Sequence, residues 1–112
     1  MSSKTIADLL KPVMDATEAG RLKWAKADGG ALEAKLPRYR IKVWDGADEV
    51  GFHWVSVQLL TLDGDVIDLM NENEFSDRYQ NFKNFFAMAR RSAINFDAIA
   101  ENVMEDLRAL AS

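Results

Sequence analysis

A chain of 112 residues with 48% hydrophobic and 29% charged side chains and no cysteine has the size and composition of one globular domain over residues 1–112. The missing cysteine excludes disulfides, thiolate metal sites and cysteine nucleophiles. The net charge of −4 argues against wholesale binding to a polyanion, but the charge is uneven, with a net +5 over residues 21–42 and −8 over residues 43–112. No eighteen apolar residues run together, and Lys4, Asp8, Lys11 and Asp15 interrupt the N-terminal stretch where a signal peptide would carry its apolar core. A soluble, cytoplasmic protein with no membrane partner is therefore expected.

Ile6, Leu9, Leu10, Val13 and Met14 fall at helical spacing, which predicts a first helix over residues 3–19, with Ser2 or Ser3 as N-cap and Gly20 as its stop. Pro12 removes the bond to the carbonyl of Asp8, so a kink, or a helix starting near Lys11, is expected. Beyond Gly20 the period becomes two. Leu22 and Trp24 open a strand, Asp28-Gly29-Gly30 turns it, and Leu32, Ala34 and Leu36 continue a weaker alternation to Pro37.

Residues 38–44 form the next strand, with Tyr39, Ile41 and Val43 on one side and Arg38, Arg40, Lys42 and Trp44 on the other. A polar turn at residues 45–49 leads to the longest strand, residues 52–62. There His53, Val55, Val57 and Leu59 share one face, while Phe52, Trp54, Ser56, Gln58 and Leu60 share the other. Asp63-Gly64 then reverses the chain into residues 66–70. From Glu74 onward Phe75, Tyr79, Phe82, Phe86, Ala89 and Ala93 step by three or four along a helix, with Arg90 and Arg91 near its C-terminal pole. Phe85 lies about 100° around from Phe86 and is expected to widen the stripe toward the last helix. Asn95 breaks this helix or caps the next, whose stripe is Phe96, Ile99, Val103, Leu107 and Leu110.

The expected fold is thus α+β in two layers: an N-terminal helix, an antiparallel meander of four to five strands, and two C-terminal helices packed on one sheet face. The order of TEAGRLKW at residues 17–24, the WDGADEVG loop, the strand ending LDGDVIDL, and the helix junction ARRSAINFDAI resembles small bacterial proteins of unassigned function. The resemblance implies this fold and no particular activity.

Candidate chemistry is sparse. His53 is the single histidine, and no nucleophile elbow accompanies it. Counted as a calcium loop from Asp63, Asp65 takes position three and Glu74 position twelve, but Asp68 stands where the loop needs glycine, so Asp63, Asp65 and Asp68 belong to a hairpin. Gly29-Gly30 lacks the flanking residues of a phosphate or dinucleotide loop. No catalytic, metal or cofactor site is expected, and the chain reads as a non-enzyme.

What remains is the outward sheet face, Arg38, Arg40, Lys42, Trp44, Phe52 and Trp54. Interleaved cations and rings resemble in kind the stacking platforms of RNA-binding sheets. In an acidic protein, however, three large aromatics on one face point more to protein contact. The expected function is a protein-interaction module that binds itself as a homodimer or one partner protein through this face. Three alternatives stand beside it: nucleic-acid binding by the same face, an acidic immunity, antitoxin or anti-defence protein that blocks a basic partner, and an enzyme built on His53.

Overall fold

The structure is a computed structural model, which describes residues 3–111. It has the expected α+β architecture. Helix α1 (Ile6–Glu18) precedes five strands, β1 (Trp24–Lys26), β2 (Leu32–Lys35), β3 (Tyr39–Ala47), β4 (His53–Thr61) and β5 (Val66–Asn73), and helices α2 (Tyr79–Ala93) and α3 (Phe96–Ala111) follow. The strands form one antiparallel meander in sequence order.

Thr5 is the N-cap of α1, and its backbone N–H donates to the Asp8 carboxylate at 2.7 Å. Ser3 lies before the helix, and Ser2 falls outside the described residues. Pro12 does not delay the start of the helix. It lies on the exposed side, as does Asp8, whose carbonyl loses its partner there.

Register decides which side chains face the helices, because a slip of one residue would invert every strand. Val43 stands between Leu32 and Val57, and Ile41 between Ala34 and Leu59. These inward residues join Trp24, Val55, Ile6, Leu10, Val13, Phe82, Phe85 and Ala89 in one core. Phe82 and Phe85 are fully buried, each worth roughly 1.5–3 kcal/mol of transfer free energy. Phe85 does not turn toward the last helix. It sits at the centre of the α2 contact, edge-on to Trp24 with ring centroids 5.5 Å apart, and Phe86 is the half-buried margin.

Three local boundaries depart from the alternation. Strand β3 runs through Asp45 and Gly46 to Ala47, because the turn is made later, where Asp48 Oδ1 accepts the backbone N–H groups of Val50 and Phe52. Tyr39, expected inward with Ile41, is 39% exposed, since it begins the strand at the margin of the sheet. Phe75 precedes α2 rather than joining its stripe. The chain turns at Ser76, whose backbone N–H donates to the Asn73 carbonyl at 2.9 Å, and Phe75 stays 70% exposed.

Helix α3 begins after Asn95, which adopts φ 54° between the two helices. No α3 residue is buried. The radius of gyration is 16.3 Å, against roughly 13 Å for a compact chain of this length, as a helix projecting from the two-layer body requires.

Candidate interaction surface

The core of the protein takes only the inward residues of the strands; none of the outward set belongs to it. That outward face is built mainly on β3 and β4, whose nine paired positions set Arg40 across from Leu60, Lys42 from Gln58, Trp44 from Ser56 and Gly46 from Trp54. The sheet thus brings together Arg40, Lys42, Trp44 and Trp54 as the alternation predicted. Arg38 lies in the bend before β3, with its guanidinium 5.8 Å from the centroid of the Tyr39 ring. Phe52 precedes β4, 40% exposed, and its ring meets Phe75 edge-on at 4.6 Å.

The face is not an open apolar plate. Trp44 and Trp54 are half-buried, Leu60 and Ser56 are buried, and Asn71 donates a side-chain hydrogen bond to Ser56 Oγ at 2.7 Å. Gly46 supplies the room in which the Trp54 ring lies. Nor is it a free row of cations. Arg40 Nη1 stands 3.4 Å from Glu33 Oε1, with both side chains about one-third exposed or less, and Glu33 is also paired across the strands with Lys42. One carboxylate beside two cations weakens the phosphate-gripping potential of the row. The Arg40 Nε atom is buried without a hydrogen-bond partner.

The most numerous group of exposed large apolar side chains lies elsewhere. On α3, Phe96, Ile99, Val103, Met104, Leu107 and Leu110 are 40–82% exposed. They form one stripe, whose base meets α2 where Arg91 stacks on the Phe96 ring at 4.4 Å. At the sheet edge, Val66, Ile67 and Leu69 of β5 are also exposed, and a bulge opposite Leu59 and Leu60 interrupts their pairing. Periodicity finds the α3 stripe but is silent on what covers it, so its exposure was out of reach of the sequence.

His53 opens β4 on the surface. Its backbone N–H donates to Glu74 Oε1 at 3.0 Å, so the nearby carboxylate engages the main chain of His53. Asp63-Gly64 is the turn of the β4–β5 hairpin, closed by the Thr61 N–H to the Asp65 carbonyl at 2.9 Å. Asp63, Asp65 and Asp68 do not converge; among the described residues no three His, Asp or Glu side chains are grouped to hold a metal ion. An open cleft of about 720 Å³ runs between the end of α1, β1 and α2, lined by Leu22, Trp24 and Met88 with Lys23 and Arg91 at its rim. Its deeper polar groups are already paired: Thr17 Oγ1 accepts from Trp24 Nε1 and Ser92 Oγ from the Trp24 backbone, each at 3.1 Å. No helix among the described residues is long and apolar enough to cross a membrane. No family model, no curated protein and no solved structure matches the chain.

Proposed function

We propose that this protein acts by binding another protein surface rather than by catalysis, and that its contact surface comprises α3 together with the outward sheet face. The observation that carries the reading is the unburied stripe of α3. A helix with one apolar side is stable in water chiefly through what that side packs against, and here Ile99, Val103, Leu107 and Leu110 pack against little in their own chain. Half-buried Trp44 and Trp54, with Phe52, supply aromatic anchors of the kind that concentrate binding energy. Arg40 and Lys42 supply orientation.

Site-specific photo-crosslinking tests it. A crosslinker at Val103 on α3 or Gln58 on the outward face should give discrete protein adducts in cells, while one at Lys11, on the exposed side of α1, should give none. Absence of discrete adducts from both Val103 and Gln58 would remove the reading.

A further inference from the structure

The sixteen residues of α3 bury no side chain within their own chain, yet their apolar positions are ordered about a centre. Phe96 and Leu110 lie seven residues to either side of Val103, and Ile99 and Leu107 lie four to either side. If two copies of α3 are laid antiparallel about a twofold axis at Val103, Phe96 meets the partner's Leu110, Ile99 meets the partner's Leu107, and Val103 meets itself. Each of these five side chains is then opposite another, as a self-complementary twofold contact requires, while Met104, at the margin of the stripe, falls opposite the partner's Asn102.

Charge selects the same direction. Asp97 and Arg108 stand on the same flank of the stripe, about 100° and 120° around the helix axis from Phe96. Antiparallel pairing sets the same flanks of the two helices face to face, and it brings Asp97 within about one residue's rise of the level of the partner's Arg108, twice over. Parallel pairing instead sets the flank of Glu101 against that of Asp106 five residues further along, which places like charges together in a helix that carries four acidic residues and one basic one. The antiparallel arrangement also lays each positive helix end beside a negative one.

We infer that α3 is the seat of a symmetric homodimer, in which two copies of the chain pair antiparallel through Phe96, Ile99, Val103, Leu107 and Leu110. The inference rests on the reading of the chain as an interaction module and names a second copy as the occupant. Because α3 projects from the body, pairing needs no rearrangement of the core. The contact strip is about 24 Å long and one helix face wide. That places it at the low end of specific interfaces, below about 1,200 Å² in total, the size class of transient contacts, and a reversible dimer with a dissociation constant of about micromolar order is the expected outcome.

Sedimentation velocity of the full chain should show monomer passing to dimer between roughly 1 and 200 µM. Val103→Asp should weaken association by about 100-fold or more. Arg108→Glu should weaken it by about tenfold, and Asp97→Arg added to Arg108→Glu should restore it. Because the chain has no cysteine, direction can be read separately. A mixture of Phe96→Cys and Leu110→Cys proteins should form the mixed disulfide in preference to either homodisulfide.

Preferred homodisulfides would overturn the antiparallel pairing, and a dimer that persists in Val103→Asp would overturn α3 as its seat. A strict monomer at the highest concentration overturns the inference altogether. If the crosslinker at Val103 then captures a different protein, the interaction reading stands with another occupant; if it captures nothing and Gln58 is also silent, both fail.

Discussion

The Trp54 ring lies across the β3–β4 pair directly over Gly46, so closely that a Cβ at position 46 would overlap Cζ2 and stand 2.9 Å from Cε2 and Cη2. The half-burial of Trp54 on a face without a covering helix therefore depends on the hydrogen atom across the strand. Gly46→Ala must displace the ring or spread the strands, at a cost of about 1–3 kcal/mol. Denaturant unfolding should show a lower midpoint, and acrylamide should quench tryptophan emission more strongly in the folded variant. A variant with wild-type midpoint and quenching would show that the ring has another place to go.

Asn95 joins α2 to α3 with φ 54°, and its backbone N–H donates to the Ser92 carbonyl at 3.1 Å. Asparagine tolerates this left-handed conformation, whereas a β-branched residue does not. Asn95→Gly should leave stability within a few tenths of a kcal/mol, while Asn95→Val should cost about 1–2 kcal/mol or redirect α3. Thermal unfolding measures the first effect. The distance between spin labels on α2 and α3 measures the second. Equal behaviour of the two variants would mean that the junction is not held in the left-handed region.

The β3–β4 part of the sheet was legible from its alternation. Period two assigns Ile41, Val43, Val55 and Val57 to one face, and they came out there. The Asp63-Gly64 turn sets Val66 against Leu60, but the bulge that follows pairs Leu59 with Asp68 and inverts the parity of β5, which the turn alone does not foretell. The ends were less legible. Tyr39 obeys the parity of Ile41 yet lies at the strand start, where parity says nothing of how far the covering layer reaches. Phe75 fits a helical step of four to Tyr79, but the turn at Ser76 takes it out of the helix. The cover of Trp54 depends on which residue β3 sets opposite it, a matter of register that one strand's pattern does not contain. For α3 the amphipathic stripe shows that a face exists to be covered. What covers it is a tertiary or quaternary fact with no trace in local periodicity.

Trp24 shows how the interior of the helix layer is tied to the sheet edge. Its ring is edge-on to Phe85, its indole N–H donates to Thr17 Oγ1 at 3.1 Å, and its backbone N–H donates to Ser92 Oγ at 3.1 Å, so one residue of β1 contacts both α1 and α2. Phe85→Ala leaves a cavity beside a fully buried ring position and should cost about 3–5 kcal/mol. Thr17→Val keeps the shape but removes the acceptor for the indole, at about 1–3 kcal/mol. Chemical denaturation of the two variants should preserve that order. A smaller loss from Phe85→Ala than from Thr17→Val would place the weight of this junction on the hydrogen bond instead of the packing.

Removal of α3 separates what folds the chain from what the chain binds. Within its own chain the helix contributes the stacking of Arg91 on Phe96 and little buried area, and a cation–π contact at an exposed site is worth about 0.5–1 kcal/mol. A chain ending at Asn95 should therefore keep its sheet, its Trp24–Phe85 packing and its cooperative unfolding. Measured in dilute solution, its melting temperature should fall by less than about 8 °C, the shift that 1 kcal/mol produces in a domain of this size. The intact chain should gain thermal stability as its concentration rises, because association through α3 favours the folded state by mass action. The truncated chain should show no such gain. If the truncated chain fails to fold, α3 belongs to the folding core. If its melting temperature depends on concentration as strongly as that of the intact chain, association has its seat on the sheet face instead.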